Sequence, residues 1–286
     1  VTTDRDALID AITREVLAAI AGEAWDDCMS CLGDCVVHSS EKVRSVLAAG
    51  ATRVSFQGVG ADVPNDLAGF IDHTLLKPDA TAADVDAMCA EAVEFGFASV
   101  CVNGTWVRRV AAALRGSDVV PCCVVGFPFG ATTPEIKAME ARRAIRDGAR
   151  EIDMVLNVGA LKSGDYDLVR RDISGVSEAC REAGAVCKVI LETVYLTDEE
   201  KVVASRLAVE SKADFVKTST GYGPGGATVY DVALIRESVG PKVGVKASGG
   251  IRTTEDARQM IAAGATRIGA SAGVEIVTGG RSDEQH

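Results

Sequence analysis

The chain has 286 residues, 47% of them hydrophobic and 25% charged, which excludes disordered and collagen-like classes. Its 30 basic and 41 acidic side chains leave a formal charge of −11, which opposes nonspecific attraction to nucleic acid or anionic lipid. An anionic small ligand therefore needs a local site.

Residues 1–64 read as an N-terminal extension. Leu8, Ile12, Val16 and Ile20 recur at every fourth position with Ile9 and Leu17 beside them, while Asp6, Asp10, Thr13 and Arg14 fall on the other side. That spacing predicts an amphipathic helix over 4–22. The first residues are too charged for a secretory leader, and no run approaches about 18 consecutive apolar residues. A cytoplasmic protein with no membrane span is the expectation. Cys28, Cys31 and Cys35, with His38, have plausible ligand spacing for zinc or an iron–sulfur centre. No second pair follows downstream, so free thiols in a linker are the favoured reading and no metal is expected. A short helix and strand are predicted over 41–56. Most of the nine cysteines (Cys89, Cys101, Cys122, Cys123, Cys180 and Cys187) lie in apolar runs, where reduced, buried thiols are expected.

A repeat begins near Asp66. Short β-branched apolar runs occur at 69–76, 98–103, 119–126, 151–157, 186–192, 214–220, 243–249 and 267–271. Helical stretches follow, for example at 82–95, 133–147, 197–212 and 253–263, several opened by threonine with an acidic residue close behind, as in Thr254 with Glu255. Eight such units in about 210 residues predict an α/β fold, a closed (β/α)8 TIM barrel over 65–286 that carries the helical extension.

Every second residue of several strands is polar: Asp72 and Thr74; Ser99, Cys101 and Asn103; Asp153 and Asn157; Lys188 and Glu192; Lys217 and Ser219; Lys246 and Ser248. The residues between them are mostly apolar. In a barrel the apolar set packs on the helices, so the polar set points into the lumen and converges at the C-terminal ends of the strands.

Two lysines stand in matching contexts one unit apart, Phe215-Val-Lys217-Thr-Ser-Thr-Gly221 and Gly244-Val-Lys246-Ala-Ser-Gly-Gly250. Consecutive units place them on adjacent strands about 4.8 Å apart, within repulsive range. Bringing a lysine from its ordinary pKa near 10.4 to about 7 raises the neutral amine by roughly three powers of ten, which suits Schiff-base chemistry. Asp153 is placed to relay protons. The competing reading is structural ion pairing, with Lys246 holding Asp153. Asp72, Thr74, Cys101, Lys188 and Thr220 are candidates for the substrate pocket, and Asn103 and Glu192 lie beside them; a purely structural polar network is the alternative.

Three glycine-rich turns suggest an anion site: 219–226, 248–252 and 269–271, with Arg252 and Ser271 in reach. Glycine lets backbone N–H groups approach a ligand closely, and barrels commonly hold phosphate in the loops after strands seven and eight.

The motifs Ile71-Asp-His-Thr-Leu-Leu, Glu151-Ile-Asp-Met-Val-Leu-Asn, Lys188-Val-Ile-Leu-Glu-Thr, Phe215-Val-Lys-Thr-Ser-Thr-Gly and Val245-Lys-Ala-Ser-Gly-Gly-Ile-Arg resemble the deoxyribose-phosphate aldolase family, from about Asn65 to Gly273. The resemblance implies retro-aldol cleavage of 2-deoxyribose 5-phosphate to glyceraldehyde 3-phosphate and acetaldehyde. It implies a Schiff base on Lys217, Lys246 tuning the acidity of that amine and relaying protons, and Asp153 as proton donor and acceptor. Gly221, Gly249, Gly250, Arg252, Gly269 and Ser271 would surround the phosphate. No cofactor is implied; the partners are a phosphosugar and an aldehyde, and the assembly a homodimer. Two departures stand out. Tyr222 occupies a place where some relatives carry lysine, and the tail after 280 lacks the tyrosine some relatives use as a proton shuttle. The rival readings are another lysine-dependent phosphosugar aldolase and a catalytically idle barrel serving as cargo or scaffold. The helix over 4–22 resembles encapsulation peptides that direct enzymes to a bacterial microcompartment shell; packing on its own barrel is the alternative.

Overall fold

The computed structural model describes residues 63–279. The helix over 4–22, the cluster of Cys28, Cys31, Cys35 and His38, the segment at 41–56 and the tail from 280 lie outside the described residues.

Eight parallel strands close into a barrel in sequence order. They are β1 (Ile71–Leu75), β2 (Ser99–Val102), β3 (Val120–Val125), β4 (Glu151–Val155), β5 (Val186–Ile190), β6 (Phe215–Lys217), β7 (Gly244–Ser248) and β8 (Arg267–Ala270). The ring closes where Asp72 of β1 pairs with Gly269 of β8. Each strand falls within its predicted run but is shorter. The largest difference is at β6, which stops at Lys217. Beyond it the backbone N–H of Thr220 donates to the side chain of Glu192 rather than to a neighbouring strand.

The described helices are α1 (Ala82–Phe95), α2 (Val107–Ala113), α3 (Pro134–Asp147), α4 (Val158–Lys162), α5 (Tyr166–Ala183), α6 (Asp198–Glu210), α7 (Val229–Val239), α8 (Thr254–Ala262) and α9 (Gly273–Thr278). Capping boxes open α1 (Thr81 with Asp84), α6 (Thr197 with Glu200) and α8 (Thr253 with Asp256). The cap of α8 thus lies one residue before the expected Thr254. The box needs an acidic side chain three residues after the cap, and Asp256 supplies it.

The strand alternation sorts the interior into two zones. Val100, Val102, Ile152, Met154, Val189, Leu191, Val216, Val245 and Ile268 join the apolar shell between strands and helices, with Val85, Ile173, Val176 and Ile235. Inside the barrel a small separate cluster holds Leu76, Cys101, Cys122 and Val124, with Phe127 against it. The six cysteines expected to be buried are buried free thiols.

A fully buried ion pair lies in the outer shell. Lys137 of α3 donates to Asp172 of α5 at 2.6 Å and to the carbonyl of Val155, the last residue of β4, at 2.8 Å. Burial pushes the Asp172 carboxyl up and the Lys137 ammonium down despite their pairing. Lys137→Met would leave Asp172 without its cation and is expected to cost about 3–5 kcal/mol. The double variant Lys137→Met/Asp172→Leu should recover most of that. Denaturant midpoints of the three proteins check the pair, and equal loss in single and double variants would contradict it.

Candidate active site

The repeated lysine contexts do lie on adjacent strands. Lys217 and Lys246 are direct partners in the β6–β7 register. Both ammonium groups donate to the same oxygen of Asp153, Oδ2, each at 2.8 Å, across the lumen from β4. The other oxygen, Oδ1, accepts from Lys188 at 2.8 Å and from the thiol of Cys122 at 3.3 Å.

A second layer of charge lies behind this one. Lys246 also contacts Asp72 at 2.5 Å, and Lys188 contacts Glu151 at 2.5 Å. Arg267 closes the ring, meeting Asp72 at 2.6 Å and Glu151 at 3.1 Å. Ser99 donates its hydroxyl to Asp72 at 2.6 Å.

Among the described residues, the connected ion-pair network of the lumen therefore joins three carboxylates (Asp72, Glu151, Asp153) and four cations (Lys188, Lys217, Lys246, Arg267). One positive charge is in excess. At an effective dielectric of about 20, an ammonium–carboxylate contact of this length is worth about 6 kcal/mol before desolvation. Lys246 and Lys188 each bridge several carboxylates, whereas Lys217 shares one. Lys217 is thus the lysine of the three with the fewest anionic partners. Lys217 is also 2% exposed against 0% for the other two lysines, so it stands nearest the mouth.

These contacts displace the titrations from their ordinary values. Burial alone would raise Asp153 and Asp72, but Lys188, Lys217 and Lys246 hold the first well below the usual carboxylate range, and Lys246, Lys188 and Arg267 do the same for the second. Burial alone would lower Lys246 and Lys188, but Asp153 and the neighbouring acidic groups hold both above the usual lysine range.

The signs define a window. A carboxylate depressed in the fold contributes stability that is complete above its unfolded value of 3.8 and lost as the pH falls below it. An ammonium raised in the fold contributes stability that is complete below its unfolded value of 10.5 and lost as the pH rises beyond it. The cluster predicts a melting temperature that is flat from about pH 5 to about pH 9 and falls on both sides. A melting temperature that climbs outside those limits would contradict the assigned pairs.

Of the substrate-pocket candidates, Asp72 and Lys188 lie in the deeper layer with no exposure, engaged by other lumen groups. Thr74 is half-buried and donates its hydroxyl to the Asp72 carbonyl at 2.8 Å. Cys101 pairs with Thr74 in one register and with Cys122 in the next, beside Asp153. Thr220 is buried against Glu192. Around the expected phosphate site, Gly221, Gly249 and Gly250 adopt left-handed φ values of 86°, 90° and 81°. The turns after β6 and β7 meet closely, because a Cβ on Gly226 would lie 2.3 Å from the Gly249 carbonyl oxygen. Arg252 and Ser271 are exposed, while Gly269 is buried against Lys246. Tyr222 packs edge-on against Phe127 with ring centroids 5.4 Å apart.

Sequence reasoning missed Glu151, Arg267 and Cys122 as members of the cluster. The signal for the first two was present: each stands two residues before an inward-facing position, Asp153 and Gly269. Cys122 was hidden in an apolar run, where a thiol reads as one more hydrophobe. Cys101, Cys122 and Asp153 offer donor atoms within 4.8 Å of one another. Lys188, Lys217 and Lys246 already occupy Asp153, however, and would repel a divalent ion, so these residues form a thiol–carboxylate cluster.

Such a barrel, with an amine pair on one carboxylate, is that of an aldolase, a carbon–carbon lyase. Residues 67–279 match the description DeoC/LacD family aldolase, and the chain belongs to that family. It is 56% identical over 221 residues to a deoxyribose-phosphate aldolase of Lysinibacillus sphaericus, covering 77% of this chain and 99% of that one. It is 61% identical over 213 residues to a deoxyribose-phosphate aldolase of Brevibacillus brevis, covering 74% and 96%. Among solved structures, a deoxyribose phosphate aldolase from Aeropyrum pernix, described as tetrameric, aligns with a TM-score of 0.71 at 34% identity, over 82% of this chain and 96% of that one. No described helix is long and apolar enough to cross a membrane.

Proposed function

We propose that the protein is a deoxyribose-phosphate aldolase that cleaves 2-deoxyribose 5-phosphate through a Schiff base on Lys217. The observation that carries this reading is the pair of lysines on adjacent strands donating to one oxygen of Asp153. The free amine of Lys217 attacks C1 of the open-chain sugar, and the carbinolamine loses water to give an iminium. The C3 hydroxyl then yields its proton, the C2–C3 bond breaks, and its electrons enter the iminium to form an enamine. Glyceraldehyde 3-phosphate leaves. Protonation of the enamine and hydrolysis of the new iminium release acetaldehyde and restore the amine.

Asp153 and Lys246 move the protons. Because Lys217 and Lys246 share Oδ2, a proton leaving Lys217 passes to a carboxylate oxygen that already faces a second ammonium. In the resting site Lys246 and Lys188 hold Asp153 ionised, so that it is ready to accept that proton. The iminium supplies the electron withdrawal that a metal ion supplies in other aldolases. Gly221, Gly249, Gly250, Gly269, Arg252 and Ser271 bind the phosphate, chiefly through backbone N–H groups that the glycine turns leave open. Thr74, Cys101 and Thr220 line the sugar, and Asp72 and Lys188 act on it through Lys246 and Asp153.

Borohydride reduction in the presence of acetaldehyde, followed by peptide mapping, tests the reading. An adduct on Lys217 together with cleavage of 2-deoxyribose 5-phosphate is expected. No adduct would sink the mechanism, and an adduct with poor cleavage would point to a different phosphosugar. We further propose that residues 4–22 direct the enzyme to a shell, on their resemblance to encapsulation peptides. Diffuse fluorescence from a fusion of residues 1–22 to a fluorescent protein in shell-forming cells would count against that.

A further inference from the structure

Two non-glycine residues among the described ones have a left-handed backbone, Lys212 and Glu192. Lys212 follows α6, on the side of the barrel away from the mouth. Glu192 follows β5 at the mouth, with φ 57° and ψ 64°. Side chains disfavour this region and glycine does not, so a carboxylate kept here calls for a reason.

The reason lies in what the side chain holds. Glu192 is 4% exposed, and among the described residues its partners are uncharged. The Thr220 hydroxyl donates to Oε2, and the Thr220 N–H reaches both carboxylate oxygens at 3.3 and 3.4 Å. Tyr222 N–H donates in turn to the Thr220 hydroxyl oxygen at 3.1 Å. The rest of the loop follows the same stretch of chain. A Cβ on Gly223 would lie 3.1 Å from the Glu192 carboxyl carbon, and one on Gly225 would lie 2.9 Å from a methyl of Val194. On its other side the loop is tied to the turn after β7, where Ala227 N–H donates to the Gly249 carbonyl at 3.0 Å.

The loop that leaves Lys217 is therefore clamped from two strands. Glycine turns supply the β7 side. Glu192 supplies the β5 side from behind Thr220, without presenting its charge to a ligand.

We propose that Glu192 is a positioning residue that fixes Thr220 and the 220–226 loop for the phosphate end of the substrate, and so sets the preference for phosphorylated over unphosphorylated sugar. This rests on the reading of Lys217 as the Schiff-base lysine and of the glycine turns as the phosphate site.

The test is a comparison of kcat and KM for 2-deoxyribose 5-phosphate and for 2-deoxyribose in the wild type, Glu192→Gly, Glu192→Gln and Glu192→Asn. Glu192→Gly keeps the left-handed backbone and removes only the side chain. It is expected to raise KM for the phosphorylated sugar by about tenfold with kcat changed by less than about threefold, and to leave kcat/KM for 2-deoxyribose within about twofold. Glu192→Gln keeps an acceptor for the Thr220 hydroxyl and should stay within about threefold of wild type on both sugars. Glu192→Asn, which tolerates the left-handed backbone but has a side chain one carbon shorter, should shift in the same sense as Glu192→Gly. Wild-type behaviour of Glu192→Gly would overturn the proposal, and so would an equal loss on both sugars, the mark of a merely structural role. If Glu192→Gly does not fold, Glu192→Asn decides by the same split between the two sugars. Absence of a borohydride adduct on Lys217 in the wild type would overturn the functional reading and this proposal with it. An adduct with unchanged sugar preference in the variants would overturn this proposal alone.

Discussion

Lys217→Met is expected to reduce cleavage of 2-deoxyribose 5-phosphate by about four powers of ten or more while leaving the fold as stable as the wild type or more so. The first half follows from the loss of the only group assigned to bond the substrate; four powers of ten correspond to about 5.5 kcal/mol of barrel chemistry. The second half follows from the charge ledger of the lumen. Removing one of four cations leaves three facing three carboxylates, and methionine roughly preserves the volume of the stem. A steady-state assay, a borohydride trap and a melting curve check the two halves together. Loss of activity accompanied by a large fall in melting temperature would mean that Lys217 is chiefly a structural ion pair.

Asp153→Asn should do the reverse to stability. The amide keeps the shape but removes the charge that Lys188, Lys217 and Lys246 share. Breaking one member out of a buried ionic cluster costs about 3–5 kcal/mol. Activity should fall by about two to four powers of ten, since the proton relay is lost with the charge. The pH dependence adds a sign. In the wild type Asp153 helps hold Lys188 and Lys246 above the ordinary lysine range. Without it those ammonium groups release protons at lower pH, which relieves their repulsion, so the stability deficit of the variant should narrow as the pH rises past about 9. Chemical denaturation of both proteins at several pH values measures this. A deficit that widens with pH would be the wrong sign for an unpaired cationic cluster.

Much of this site could be read from the sequence because barrels repeat. Lys217 and Lys246 stood out through matching contexts one unit apart, and period-two alternation turned Asp153 inward. The glycine turns were visible for the same reason, since φ above zero demands glycine at Gly221, Gly249 and Gly250. What escaped was either masked by its position or had no local signature. Glu151 and Arg267 begin their strands, where a charged residue reads as rim, yet both reach inward to Lys188 and Asp72. Nothing in the run Leu-Glu-Thr signals that Glu192 adopts a left-handed backbone, because its partner Thr220 is 28 residues away. The short helix α4 was also unforeseen; its five residues are too few to show a periodic face.

The closing ladder between β1 and β8 bears on when the enzyme becomes active. The ion pair between Arg267 and Asp72 spans 195 residues of chain, and the seven charged groups of the lumen network come from six of the eight strands. A nascent chain still missing β8 lacks both the ring and Arg267, so Asp72 and Glu151 lack their shared guanidinium and the lysines have no finished electrostatic cage. Turnover is thus a readout of circularisation. A polypeptide divided between β4 and β5 would be inert as separate halves, with Asp153 on one and all three lysines on the other, and would recover activity only when the halves reassemble into the full ring.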